Sequence, residues 1–545
     1  MSDWVKKTLG STIREVAGRY PDQLALIFKN QRVSYRMLWE KARTLAKGLM
    51  ALGIGHGDKV SIWAGNSLEW IYTQLAAPFI GAILVPVNTR FRMSELEYIL
   101  GQSDSKILLM VKQFLNIDFL AMLKEICPEI TRGLPGQLHS AQLPNLKNVV
   151  FLDREKPAGA LSLGEVMEWG EKISDETLES RMGRVQPDDV IMFQYTSGTT
   201  AFPKGVMLTQ DSVVRDAFLL GERQTLTSQD RLFCPLPFFH VGGAVISTLS
   251  VLTHGAGMVF GETYDPLESL KAIQQEHCTA MNGIETHFLM MYHHPDFDQY
   301  DVSSLKKGWA IGPAEVVRSA YQKMGMTGVL NIYGTSETSP NVTTTFVDDP
   351  LERRINFHGL PHAGTEVKIV DPANGESLPA GREGEIWVRG WNVMKGYYKK
   401  QEETAKTIDS QGWLHTGDRG LLDPQNGYLK FTGRFKDMLR VGGENVSAME
   451  VESFLLRHLK VKQAQVIGVP DLRLTEVGMA FLELKEGMSA TEEEMLNFCK
   501  GKIANFKVPR YVIFVNQFPL TGSGKIQKFK LKEQALESMK RKTGK

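Results

Sequence analysis

The sequence is poor in the features that mark most specialised classes of protein. Its 545 residues hold four cysteines, Cys127, Cys234, Cys278 and Cys499, far apart and never as C-x-x-C. That spacing argues against a disulfide framework or a cysteine zinc site and fits a reducing compartment. The chain also lacks the roughly 20 unbroken apolar residues that a spanning helix needs. Its two most apolar stretches are interrupted, Trp70–Asn88 by Gln74, Pro78, Gly81 and Pro86, and Gly242–Phe260 by His254 and several glycines. Both read as buried helix and strand. Charge of one sign is not in excess: 63 Lys and Arg against 62 Asp and Glu leave +1, so no global field advertises a nucleic acid or an acidic membrane as partner. Fixed-period repeats and low-complexity segments are missing, the opening MSDWVKKTLG has no apolar signal core, and Thr543-Gly544-Lys545 is no peroxisomal S-K-L address. A cytoplasmic chain with no integral membrane segment is expected.

What remains is an ordinary globular composition, 42% hydrophobic and 23% charged, in a chain long enough for roughly three or four packed units. Short apolar runs at Val60–Trp63, Ile83–Val87, Val190–Tyr195, Met258–Phe260 and Val329–Ile332 alternate with helical stretches, one of them opened by Asn66 with Glu69. This rhythm predicts an α/β fold with a large N-terminal domain of parallel sheets packed with helices. A boundary is expected around Thr432-Gly433-Arg434-Phe435-Lys436-Asp437, which gives domains 1–432 and 439–545 with a hinge at 433–438. Beyond it, capping boxes at Ser447/Glu450 and Thr491/Glu494, and Val451, Phe454, Leu455 and Leu459 on one helical face, predict a smaller, mobile α+β domain.

The most informative segment is Tyr195-Thr196-Ser197-Gly198-Thr199-Thr200-Ala201-Phe202-Pro203-Lys204-Gly205. Small residues let backbone N–H groups approach an anion, hydroxyls donate to phosphate oxygens, and Lys204 adds charge. It is not a Walker A loop, because proline precedes Lys204 and no Ser or Thr follows it. Alone, such a segment reads equally as a surface loop. Four more segments follow in order: Asn331-Ile332-Tyr333-Gly334-Thr335-Ser336-Glu337-Thr338, Trp413-Leu414-His415-Thr416-Gly417-Asp418, Gly433-Arg434-Phe435-Lys436-Asp437, and Pro519-Leu520-Thr521-Gly522-Ser523-Gly524-Lys525-Ile526.

In this order the five segments resemble the adenylate-forming superfamily of acyl-CoA synthetases, beetle luciferases and peptide-synthetase adenylation domains, from about Ser11 to Lys530. Ala201 departs from the glycine usual in that phosphate loop. The resemblance implies ATP, Mg²⁺ and coenzyme A as cofactors. It assigns the β- and γ-phosphates to Thr196, Ser197, Gly198, Thr199, Thr200 and Lys204, and adenine packing to Tyr333 beside Gly334 and Thr335. Glu337 is implied as the Mg²⁺ ligand, Asp418 as acceptor of the ribose hydroxyls with Arg434 assisting, and Lys525 as the lysine bridging the substrate carboxylate and the α-phosphate. Lys525, Glu337 and Thr196 would carry catalysis. Lys436 is the implied hinge, and Gly442 and Gly443 would line the CoA tunnel. Lys507 and Arg510 either meet the CoA phosphates or form a solvated basic face.

His240, Val241 and Gly242, within Pro235-Leu236-Pro237-Phe238-Phe239-His240-Val241-Gly242-Gly243, match the segment flanking the acyl pocket. No aspartate stands there to pair with an α-amino group, which disfavours an amino-acid substrate. Trp309, in Gly308-Trp309-Ala310-Ile311-Gly312-Pro313, either shortens the pocket as its floor or swings aside as a gate. The expected activity is that of an AMP-forming acid–thiol ligase for a fatty acid of medium to long chain. Ligation of a cyclic or aromatic acid, adenylation for a carrier protein, a luciferase-like oxygenase and a non-catalytic nucleotide-binding scaffold are the alternatives. A small carboxylic acid and CoA are the expected partners, with a homodimer left open.

Overall fold

A computed structural model describes residues 4–543 except 154, 197–202, 442–443, 472, 501 and 523. Among the described residues two seven-stranded sheets dominate the N-terminal part. One runs in the order Lys204–Thr209, Val190–Thr196, Ile83–Pro86, Lys59–Trp63, Ser105–Met110, Asn148–Phe151, Leu161–Ser162. It is parallel except for the edge hairpin that pairs Val190–Thr196 with Lys204–Thr209. The other runs Gly328–Leu330, Lys307–Ile311, Ala280–Ile284, Arg231–Cys234, Gly257–Phe260, Leu24–Phe28, Gln31–Ser34, again parallel with one antiparallel edge hairpin. Parallel strands buried on both faces need continuous apolar runs, and these strands supply them.

The largest core joins the two sheets, taking Val60 and Leu84 from one and Leu232 and Met258 from the other. Between them lies the helix Leu68–Phe79, buried at every position but Glu69. A helix apolar nearly all round belongs inside a protein, which accounts for the high hydrophobicity of this stretch. The other apolar stretch, from Gly242, forms the helical segment Val241–Thr253 with a π-helical turn at Ala244–Leu249, then the strand Gly257–Phe260. Among the described residues no helix is long and apolar enough to cross a membrane.

An antiparallel sheet of Thr365–Val370, Gly384–Gly390, Leu414–Leu422 and Leu429–Arg434 follows. A five-stranded sheet then spans Met438–Val441 to Tyr511–Phe514, with its own core of Leu439, Val451, Leu455, Val466, Phe481 and Leu531. Between the two, Phe435–Asp437 forms a single 3₁₀ turn.

Two local expectations need correction. Ser67, not Asn66, caps the helix from Leu68, because its hydroxyl accepts from the Trp70 N–H. Leu459 does not extend the apolar face of Ala448–Leu455: the helix ends first, the strand from Val461 begins, and Leu459 is 84% exposed. Ser447 and Thr491 cap their helices as expected, accepting from the N–H groups of Glu450 and Glu494.

Candidate active site

The hairpin at one sheet edge sets Thr196 opposite Lys204. The expected phosphate contacts Ser197, Gly198, Thr199 and Thr200 lie outside the described residues. Lys204 Nζ stands 4.6 Å from the centre of the Tyr397 ring. The Tyr397 hydroxyl donates to Glu337 Oε1 at 2.9 Å, so one phenol spaces an ammonium from a carboxylate. Thr335 precedes the 3₁₀ turn Ser336–Thr338 that presents Glu337, its N–H donating to Thr338 Oγ1 at 2.9 Å. Gly334 is required there, since a Cβ would lie 1.9 Å from the Pro340 carbonyl oxygen. Sequence reasoning missed Tyr397. Its available signal is the Gly396-Tyr397-Tyr398 step, whose backbone bonds Met207 and Gly205 on the same hairpin.

Tyr333, Asp418 and Arg434 converge next to this group. Asp418 and Arg434 are cross-strand partners in the antiparallel sheet. The Tyr333 hydroxyl donates to Asp418 Oδ2 at 2.9 Å, and its ring stacks on Phe431 with centroids 5.4 Å apart. Arg434 Nε lies 3.1 Å from Asp418 Oδ1, but the approach is misaligned, so this buried oxygen has a charge neighbour and no hydrogen-bond donor. Burial raises the Asp418 pKa while Arg434 and Tyr333 oppose it. Burial, then Asp418, pushes the Tyr333 phenol well above its ordinary value, keeping it a donor.

Lys525 reaches the same place from about a hundred residues further along the chain (~90 from Arg434). Its loop is closed on itself, with the Lys525 N–H donating to Thr521 Oγ1 at 3.0 Å and the Thr521 N–H to the Lys525 carbonyl at 2.6 Å. The Lys525 side chain reaches solvent but lies among many protein atoms. This confinement lowers its pKa, Arg434 lowers it further and Asp418 opposes both. His240 feels Lys525 in turn: burial first, then that ammonium, take its pKa down to about 3, so it is neutral at physiological pH.

The segment around His240 is pinned by distant amides. Asn66, released from capping, donates to the Leu236 carbonyl at 3.0 Å and accepts from the Phe238 N–H at 2.9 Å. Gln194 donates to the Phe239 carbonyl at 3.1 Å, tying this wall to the phosphate strand. His240 Nδ1 accepts from the Gly242 N–H at 3.1 Å, and Val241 and Gly242 are buried. Trp309, 1% exposed, packs in the same core as Phe238 and Val241. The backbone of Lys436 lies in the 3₁₀ turn, its side chain outside the described residues, as are Gly442 and Gly443.

Lys525, Arg434 and Asp418 thus act on one another electrostatically, and Lys204 stands near Glu337 across the Tyr397 ring, so cationic side chains gather with carboxylates in this part of the molecule. Residues 13–398 match the family model described as AMP-binding enzyme, and residues 450–525 match the AMP-binding enzyme C-terminal domain. YngI of Bacillus subtilis (strain 168), which bears an acyl-CoA synthetase name, is 42% identical over 544 residues, 98% of each chain. The mitochondrial medium-chain acyl-CoA ligase ACSF2 of Mus musculus is 38% identical, covering 99% of this chain and 89% of that one. The crystal structure of the anthranilate CoA ligase AuaEII with anthranoyl-AMP superposes with a TM-score of 0.87 at 26% identity, over 98% of this chain and 99% of that one. The chain belongs to the AMP-binding, adenylate-forming superfamily, within which it is an AMP-forming CoA ligase of the acyl-CoA synthetase group.

Proposed function

We propose that the enzyme activates an apolar monocarboxylic acid, a medium-chain fatty acid first of all, in two half-reactions. The acid's carboxylate oxygen attacks the α-phosphorus of ATP, the bond to the β-bridging oxygen breaks, and acyl-AMP and pyrophosphate result. The CoA thiolate then attacks the acyl carbon, and AMP leaves with the electron pair of the broken C–O bond. What supports this reading is the electrostatic coupling of Lys525 with Arg434 and Asp418, which are cross-strand partners of each other. An anionic acid approaching an anionic nucleotide needs fixed positive charge, and one preorganised donor of this kind is worth about 3–4 kcal/mol of barrier.

In this reading Asp418 Oδ1, buried and lacking a donor, accepts the ribose hydroxyls. Tyr333 borders the adenine, Lys204 and the 196–200 turn hold the outer phosphates, and Lys525 bridges carboxylate and α-phosphate. Glu337 suits Mg²⁺ as a hard oxygen ligand that would share the ion with substrate phosphates. When bound, Mg²⁺ neutralises phosphate charge. Rotation of 439–545 about Lys436, within the hinge 433–438, would withdraw Lys525 and bring Gly442-Gly443 to line the path of the pantetheine thiol. All four cysteines are buried and unpaired, which is compatible with a reducing compartment such as the cytoplasm, where we place this enzyme of fatty acid metabolism.

Trp309, fully packed, supports a closed pocket floor and therefore a medium rather than a long chain, in line with the names of the ACSF2 relatives. A compact ring acid is the second reading, favoured by the same floor. A panel of acids from acetate to palmitate, with benzoate and cyclohexanecarboxylate, scored by kcat/KM, separates the two. Pyrophosphate release should require an added acid, and thioester formation should require CoA. Acid-independent pyrophosphate release would contradict the proposal.

A further inference from the structure

The strand Ala280–Ile284 leaves its sheet directly into the helix Glu285–Tyr292, and the first turn of that helix meets the loop carrying Lys525. Thr286, 6% exposed, donates from Oγ1 to the carbonyl of Gly524 at 2.8 Å. Gly524 has φ +81°, and a Cβ there would lie 3.5 Å from His287 Nε2 and Ile284 Cδ1. On Gly522 a Cβ would lie 2.5 Å from Arg90 Cγ and Asn88 Oδ1. The loop is thus seated against the large domain, close enough at Gly522 that a side chain there would force Arg90 or Asn88 aside.

The Gly524 carbonyl belongs to the peptide that joins Lys525. The loop closes on itself through Thr521, so holding that carbonyl fixes the Lys525 Cα. A lysine carries its charge on a flexible four-carbon stem, so the ammonium is placed only as well as the backbone beneath it. Misplacement by about 1 Å costs rate steeply in a reaction that depends on alignment. Once the loop withdraws, the hydroxyl and the carbonyl both return to water.

We propose that Thr286 is a positioning residue for acyl-adenylate formation, holding Lys525 in the cleft through the Gly524 carbonyl, and that it takes no part in thioester formation. This rests on the role of Lys525 proposed above. The test compares Thr286→Val, which keeps the shape and removes the donor, with Thr286→Ser, which keeps the donor, and with Lys525→Ala. Each is assayed for acyl-adenylate formation from ATP and acid, and separately for thioester formation from supplied acyl-adenylate and CoA. Thr286→Val should lower the first rate by about three- to tenfold with the second unchanged, and Thr286→Ser should restore the first. Equal losses in both steps, no loss in either, or no recovery with serine would overturn the inference. If Lys525→Ala forms adenylate normally, the underlying reading fails and the inference with it; if only Lys525→Ala is impaired, the inference alone fails.

Discussion

Trp309 donates its indole N–H to the main-chain carbonyl of Ile246, 3.4 Å away, and the same carbonyl accepts from the Asn282 amide at 3.2 Å. Asn282 also accepts from the Trp309 backbone N–H at 3.2 Å. Ile246 lies in the π-helical turn Ala244–Leu249, whose irregular backbone is where such carbonyls meet side chains. With its indole N–H bonded to Ile246 and its backbone N–H to Asn282, Trp309 suits the floor of the proposed pocket rather than a gate. Trp309→Leu should therefore move the optimum from medium toward longer acids, with each newly buried methylene worth about 0.8 kcal/mol, or roughly fourfold in kcat/KM. An unchanged optimum from hexanoate to palmitate would contradict the floor.

Asp418→Asn keeps the shape but removes the charge that faces Arg434 and the free acceptor beside it. Hydrogen bonds to charged groups contribute about 1.5–3 kcal/mol, so the KM for ATP should rise by roughly ten- to a hundredfold. The KM for the acid should change little. Calorimetric titration with AMP would show the same loss.

Glu285, next to Thr286, has its Oε1 cut off from solvent and without a hydrogen-bond partner. It faces Glu452 and Lys528 of the C-terminal domain, where the Lys528 ammonium donates to Glu452 at 2.7 Å, and Tyr292 on its own helix. Burial, then Glu452, raises its pKa to about 8, with Lys528 opposing. A carboxyl whose pKa is raised in the docked arrangement stabilises that arrangement fully below the ordinary carboxylate range. The contribution declines as pH rises and is gone once pH passes about 8. Acyl-adenylate formation at saturating substrates should accordingly weaken as pH rises from about 5 to about 8, and Glu285→Gln, neutral throughout, should flatten that slope. An identical slope in the variant would show that another group is responsible.

Lys436→Pro restricts φ in the turn Phe435–Asp437. Acyl-adenylate should still form, while conversion of supplied acyl-adenylate to thioester should fall clearly below the parent rate, because the hinge φ can no longer adjust. Normal overall turnover would place the swivel elsewhere.

The residues that sequence reading found and those it missed differ in a physical way. Tyr333, Asp418, Arg434 and Lys525 each sit in a local motif of glycine turns and polar residues, and five such motifs in order identify one another. Thr286, Tyr397 and Asn66 are tied by hydrogen bonds to partners far away in the chain, so nothing in their own neighbourhoods marks them. Asn66 suits a cap by sequence because Glu69 follows it, yet the adjacent Ser67 takes that position and leaves the Asn66 amide to bond Leu236 and Phe238. The parallel sheets were legible from apolar runs. Their order was not, since it depends on which strand pairs with which across the shared core.

The central claim is tested most directly by Lys525→Ala, assayed for each half-reaction separately. The account predicts loss of acyl-adenylate formation by about a hundred- to a thousandfold, with thioester formation from supplied acyl-adenylate near the parent rate. Equal impairment of both steps, or full activity in the first, would contradict it.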